Sequence, residues 1–515
     1  MAATVDYDAI VIGGGHNGLV AAAYLAQAGQ SVLVLERRDF VGGACATEEL
    51  FPGYRFSSCA YISHLLQAKV VDDLRLREHG FEVYQLEPAR FQPFPDGNAL
   101  LFWDDVGRTA AEIGRLSSRD AEAYPRWLDF WRRAAGLIHP YFLTAPPSLS
   151  ELLARAQRNG DEAVLETLLT RSMADLVTEY FESSWLRGAT IQAHDVGDPA
   201  AVGSAFCQTY IRCDAYSRPE DAGIVRGGMG TITRAMAQSA EQSGATVRTG
   251  AAVRRVLVED GAARGVELSD GEAISGRVVL SNADPKRTYL RLVGAEHLDS
   301  AFQRQVEQLK TRASYLKFHA ALRELPDFTG HLGPDFDRHA LAYIKICPSA
   351  DYFAQSWDDA AHGRPSQSPV MEVQIPTVYD PTLAPPGHHV MSIWVSYAPV
   401  HPRDGTWDTL RQPVGEHLID TLATYAPNLR EAIVDWSLFT PWDLEQRVGL
   451  TDGNIRHLDI VPSQFLTQRP LPGYADYSTP IRGLYLCGAG THPGGEVTGA
   501  PGHNAAAAVL RDFAG

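Results

Sequence analysis

The chain has 515 residues, 45% of them hydrophobic and 21% charged, enough apolar material for a large core spread over two or three packed units. Lys and Arg number 45 against 62 Asp and Glu, and the net charge of −17 repels phosphate backbones, so nucleic acid is excluded as the expected partner. Six cysteines, at 45, 59, 207, 213, 347 and 487, form no C-x-x-C pair and no metal-ligand cluster, which excludes a disulfide-stapled scaffold and a metal module and fits a reducing cytoplasm.

The opening residues carry neither a basic leader nor an Arg-rich presequence, so a cytoplasmic protein is expected. Tyr7–Ile12 is a short β-branched run of the kind that forms a buried parallel strand. It leads into Gly13-Gly14-Gly15-His16-Asn17-Gly18, a G-x-G-x-x-G match, and then into a predicted helix over about 17–28 that Gly29 stops. The glycines, His16 and Asn17 interrupt this apolar stretch too soon for a membrane span, which needs roughly 20 apolar residues. A second strand over 31–35 ends on Glu36, 18 residues beyond Gly18, close to the spacing of a ribose-binding carboxylate. Gly13 permits the tight turn, Gly15 lets backbone approach a pyrophosphate, and Gly18 lets the helix pack closely on the strand. The helix start at His16 and Asn17 offers free N–H groups to the anion. One such motif is weak; strand, turn, helix, strand and acid in order define a dinucleotide site.

Arg37 follows the acid, and Gly42-Gly43-Ala44 comes soon after. This glycine pair either lets amides lie along an extended cofactor such as FAD or is an ordinary loop. A helical insert is predicted over about 105–190, where Trp127, Phe130 and Trp131 stand at i, i+3 and i+4. They read as a core stripe, or else as a tunnel lining or a membrane-resting face; the acidic charge limits membrane contact to a peripheral one. Further on come a helix over 231–243 and strands over 245–248, 253–258, 265–268 and 278–280. Runs at 315–322, 341–347, 370–375 and 390–397 predict a mixed sheet, and 349–368 reads as a polar loop. Near the end, the strand 483–487 meets a glycine-rich loop, 488–502, and a helix over about 503–513. A helix start there can stabilise the negative charge of a reduced flavin, which tips the choice from NAD to FAD.

The segments GGGHNGLVAAAYL, LERRDFVGGACATEELFPGYRFS and GLYLCGAGTHPGGEVTGAPGHNAA resemble the FAD-dependent phytoene desaturase superfamily, and DPTLAPPGHHVMS, PVMEVQIP and PWDLEQRVGLTDGNI extend the likeness along nearly the whole chain. The fold class expected is α/β, a Rossmann-type FAD-binding domain interleaved with a mixed-sheet substrate domain and the helical insert. Residues 1–70, 222–290 and 455–515 would form the cofactor domain, and 71–221 with 291–454 the substrate domain. The resemblance implies that Gly13, Gly15 and Gly18, with His16 and Asn17, hold the pyrophosphate and that Glu36 holds the adenosine ribose. It places Arg37 near the adenine, Gly43 and Ala44 along the diphosphate and ribityl chain, and Val253 against the adenine through its backbone. Gly488, Glu496 and Val497 would flank the ribityl chain and the isoalloxazine.

Flavin chemistry at a C–H bond also needs a proton acceptor. His492, in the stretch Thr491-His492-Pro493-Gly494, is the first candidate, or else a loop histidine bonded to backbone. Glu496 stands where relatives tend to carry a small residue, and a carboxylate there is a plausible base or solvent-facing group. His64 stands where relatives often have Ser, and reads as a pocket residue or a satisfied buried histidine. Lys317 with His319, and Lys345 with Cys347, alternate onto common strand faces. The family precedent implies desaturation of a C–C bond in a hydrophobic small molecule, hydride passing to the flavin. With no dithiol and no second fingerprint (Arg226–Thr231 has only G-x-x-G spacing), dioxygen or a quinone is the expected electron acceptor. A flavin-dependent isomerase or saturase of an unsaturated lipid, and a non-catalytic FAD-binding interaction protein, are the alternatives.

Overall fold

Tyr7–Ile12 forms a strand at the centre of a seven-stranded sheet, with Ala9, Ile10 and Val11 wholly buried. It pairs in parallel with Val32–Leu35 on one side and with Ala273–Ser281 on the other. Thr246–Arg248 extends the sheet beyond Val32–Leu35, and Leu484–Leu486 lies parallel to the end of Ala273–Ser281. Val253–Glu259 and Ala262–Leu268 complete it as antiparallel neighbours. A parallel sheet is covered on both faces, which is why Val32–Leu35 and Leu484–Leu486 are apolar and buried throughout. One sheet thus gathers strands from residues 7–35, 246–281 and 484–486. In this computed structural model residues 5–192 and 196–514 are described; the first four residues of the segment read for a leader lie outside them.

The helices His16–Gln27, Gly230–Gln242 and Ala500–Ala514 pack together against this sheet. The first and last touch at Gly502, where a Cβ would run into the carbonyl of Asn17. The last helix begins at Ala500, three residues before the expected start, because Thr498 Oγ1 accepts from the Ala500 amide and Pro501 is tolerated in a first turn.

A second seven-stranded sheet runs in the order Ile433–Phe439, Ser314–Leu322, His389–Ala398, Val370–Gln374, Tyr343–Ile346, Arg90–Pro93, Ala99–Phe102. Every pairing is antiparallel except that of Tyr343–Ile346 with Arg90–Pro93, so the sheet is mixed. Helices from Val106 to Thr190 form the insert. Trp127, Phe130 and Trp131 are buried inside it, with Trp127 edge-on to Phe181 at 5.3 Å, so the stripe is core and faces neither a tunnel nor a membrane. The expected loop at 349–368 is corrected: Ala350–Ala361 is a helix, capped where Ser349 Oγ accepts from the Tyr352 amide at 3.0 Å. Phe353, Trp357 and Ala360, at i, i+4 and i+7, pack its inner face on the core, a period hidden among polar neighbours. Among the described residues no helix is long and apolar enough to cross a membrane.

Candidate active site

A groove of about 300 Å³ runs along the carboxyl ends of the first two parallel strands. Gly13, Gly15, His16 and Asn17 line it at the first turn, Glu36 and Arg37 at the end of the second strand, and Gly43, Ala44 and Val253 beyond. Gly18 does not face it. A side chain at 18 would collide with the Gly13 carbonyl, so its absence lets the helix sit on the turn. At Gly15 a Cβ would stand 2.8 Å from Asn282 Nδ2, inside the groove wall. Glu36 is held in place by backbone amides, Gly14 N at 2.8 Å and Arg38 N at 2.9 Å, one to each oxygen. Arg37 donates to the Gln446 carbonyl at 2.9 Å, and burial together with the neighbouring Arg287 lowers its pKa.

The chain's far end closes the same groove. Ala489 lines it, and a Cβ on Gly488 would lie 2.9 Å from the Asn282 carbonyl oxygen, so the last loop rests on the strand end beside the glycine turn. Arg469 ties this loop down: fully buried, its guanidinium donates to the carbonyls of Ala489 and Arg456 at 2.7 Å each, and to those of Thr491 and Gln464. Among the described residues, three buried polar atoms of the groove lining have no hydrogen-bond partner, His16 Nε2, Asn17 Oδ1 and His457 Nδ1. Burial lowers the pKa of His16 to about 4 and that of His457 to about 3, so both imidazoles are neutral at pH 7. Glycine-walled backbone, the start of a 12-residue helix and unpartnered polar atoms in an elongated groove fit a dinucleotide.

Beside the groove lies a second cavity of about 380 Å³, lined on one part by Ile62, Leu86, Ala89, Ile211 and Pro219. Another part is charged, with His64, Arg456, Glu496, Glu372 and Asp214. The segment 455–457 forms the partition: Ile455 and His457 face the groove, and Arg456 faces the cavity. Glu496 stands at the junction. Arg456 pairs with its Oε1, His64 Nε2 lies 3.5 Å from its Oε2, and its backbone neighbours His16. Its φ of 61° is left-handed, a conformation that costs energy outside glycine and collects at functional sites. Burial would raise the Glu496 carboxyl, but Arg456 and His64 outweigh it and hold the carboxylate ionised. Burial likewise opposes the His64 imidazolium, yet the Glu496 bond and the Glu496 and Asp214 charges raise its pKa above the ordinary value.

The structure therefore brings His64 and Glu496 together and sets His492 apart. His492 is fully buried, donates from Nε2 to the Tyr141 carbonyl at 2.8 Å, and lines neither cavity; burial lowers its pKa to about 4. Of its two readings, this geometry is that of the loop histidine bonded to backbone. Val497 is packed in the core beneath the last helix, and Glu496 faces the cavity rather than the groove. His319 is a satisfied core histidine between Ser392 Oγ and the Ser58 carbonyl. Arg456, Glu372, Tyr61 and Asn282 were not singled out from sequence. Tyr61 donates to Glu372 at 2.5 Å across 311 residues of chain, and no local pattern announces such a pair. The six cysteines are buried free thiols, and burial raises Cys59 to about 11.

A family model described as flavin containing amine oxidoreductase matches residues 18–510, and the chain belongs to that family. It is 35% identical to pyridine nucleotide-disulfide oxidoreductase domain-containing protein 2 of Mus musculus, over 99% of this chain and 94% of that protein. It is 27% identical to the lycopene-forming phytoene desaturase of Pantoea ananas, over 97% of this chain and 98% of the relative. The fold matches that of a putrescine oxidase solved with putrescine, with a TM-score of 0.60 and 17% identity over 99% of both chains. The protein is an FAD-dependent oxidoreductase of the phytoene desaturase-like kind, and the groove is where its residues fit FAD.

Proposed function

We propose that this enzyme dehydrogenates a small amphipathic molecule at a C–C bond, with His64 as proton acceptor. Bound in the groove, FAD supplies the two-electron acceptor for a hydride leaving a substrate C–H bond. The observation that carries the reading is the Arg456–Glu496–His64 network, set in a cavity that shares a wall with the groove. Loss of hydride from carbon leaves a proton to be taken from the adjacent atom. Neutral His64, its Nε2–H turned to the Glu496 carboxylate, takes it on the free lone pair of Nδ1, and Glu496 stabilises the imidazolium that results. Arg456 keeps Glu496 ionised and fixed.

A wholly hydrocarbon substrate would strip water from Arg456, Glu372 and Asp214 without replacing it, at a cost of several kcal/mol. A molecule with an apolar body and one polar end matches both parts of the lining. The desaturase name of the Pantoea relative supports the C–C bond as the point of oxidation. Anaerobic addition of candidate substrates to the FAD-loaded enzyme tests the reading. Bleaching of the oxidised flavin band with an unsaturated product is expected. A rearranged product without bleaching would replace dehydrogenation by isomerisation, and no response to a broad panel would favour a binding protein.

A further inference from the structure

Two carboxamides stand in the wall of the substrate cavity with unpaired oxygens. Gln208 ends the helix Ser204–Gln208, and Gln192 follows the helix Ser184–Thr190. Both line the cavity, and among the described residues the Oε1 of each is buried without a hydrogen-bond partner. Gln208 is only 2% exposed. The other buried glutamines are placed differently. Gln67, Gln92, Gln374 and Gln464 each donate from Nε2 to a backbone carbonyl, those of Leu65, Cys347, Glu372 and Lys310, at distances between 2.6 and 3.1 Å. Gln208 makes no such bond among the described residues.

An amide taken out of water without a partner is a cost to the fold. At the four other glutamines a carbonyl offsets that cost, and at Gln208 no described residue does. A buried polar group left open on a cavity fits a ligand that supplies the missing partner. Glutamine can meet that ligand with either end of its amide, because its terminal torsion is broad and exchanges oxygen for nitrogen. The matching head group therefore both donates and accepts, as a hydroxyl does. An ammonium only donates and a carboxylate only accepts. Asp104 and Asp214 in the same lining oppose an anionic head, and both are exposed, where a pair with a cationic head is worth little. The remaining acids are already matched, Glu496 by Arg456 and His64, and Glu372 by the Tyr61 hydroxyl.

We infer that Gln208, together with Gln192, binds a hydroxyl group of the substrate. The inference rests on the cavity being the substrate site and names the polar end of the amphipathic molecule proposed above. The contact selects and orients the molecule and takes no part in the oxidation itself. It leaves the proton acceptor His64 and its partner Glu496 to act on the carbon chain.

The test uses FAD-loaded protein and four probes with one chain and different heads: octanol, methyl octyl ether, octanoate and octylamine. Binding is read by perturbation of the flavin spectrum and by calorimetry, neither of which requires turnover. Octanol should bind about tenfold more tightly than methyl octyl ether, which keeps the acceptor and lacks the donor, and more tightly than either charged probe. Gln208→Met keeps the length of the side chain and removes its polar atoms. In this variant the preference for octanol over the ether should fall to about threefold or less at unchanged FAD content. The unfolding midpoint should stay level or rise, because an unpaired amide leaves a buried position. A variant that loses stability would show the amide to be bonded within the fold and overturns the inference, as does an octanol preference that the variant leaves unchanged. Equal binding of octanol and the ether by the unaltered protein, or tighter binding of octanoate or octylamine, overturns it without reference to any variant. Failure of the oxidoreductase reading is separate: it appears as an intact octanol preference with no compound that bleaches the flavin.

Discussion

The groove and the cavity share the partition 455–457 but are built from opposite materials. The groove is made of backbone: glycines whose missing side chains leave room, amides at a helix start, and a carboxylate fixed by two backbone N–H groups. The cavity is made of side chains, Arg456, Glu496, His64, Glu372 and Tyr61, from distant parts of the chain. The cofactor is thus met by a shape that a short segment encodes, and the substrate by charges that only the completed fold assembles.

That contrast is broken most severely on the groove side. Gly15→Val should purify colourless, with FAD content near zero by absorbance and released-flavin assay, because the new side chain fills the groove against Asn282. Full retention of flavin would move the diphosphate elsewhere. Next comes the tie between the regions. Arg469→Met strips buried carbonyls at both the Arg456 segment and the last loop of their donor, and should cost about 3 kcal/mol or more in denaturant unfolding, with weakened FAD retention.

A smaller effect sharpens the cavity side. In the proposed role His64 works as the neutral base, and its folded pKa is raised, so kcat/KM should climb with pH through a value above 6.5. Glu496→Gln removes the main groups that raise it. That limb should move to lower pH, with kcat/KM reduced about tenfold or more at its plateau. By linkage, the His64–Glu496 pair lends stability that is full between pH 4.5 and 6.5, falls away in acid as Glu496 is protonated towards pH 2, and fades as pH rises through the raised His64 value, so the variant's stability deficit should shrink on the alkaline side. A limb unmoved in the variant removes Glu496 as the tuning group. The smallest expected effect is at His492: His492→Gln should leave kcat within about threefold and FAD content intact, while lowering the unfolding midpoint through loss of the Tyr141 bond.

Legibility followed the same division. The first strand, turn and helix could be read from Tyr7 to Gln27 because every element is local and the glycines have no other use at that spacing. The closing strand and loop were readable for the same reason. The helix Ala350–Ala361 was missed because its buried stripe is Phe353, Trp357 and Ala360 set among Asp, Gln and Ser, and Ser349 looked like loop rather than cap. At the site, His64 and Glu496 stood out as odd residues at their positions, but nothing in sequence said they would meet across 432 residues. Arg456 gave no signal: it is one of many arginines until the loop that follows the helix Pro441–Val448 places it over Trp394 and against Glu496. His492 was singled out because an ordinary histidine pKa suits proton transfer, and its burial and its bond to the Tyr141 carbonyl are set by a residue 351 positions away.

In the proposed enzyme the first turn and the last loop hold one FAD molecule whose redox end abuts the His64–Glu496 cavity. A crystal structure of the flavin-loaded enzyme tests it most directly. Density is expected for the diphosphate along Gly13–Asn17 and for the flavin ring at the 455–457 partition, between His16 and Glu496. Flavin density in any other cleft, or a ring facing away from Glu496, would contradict it.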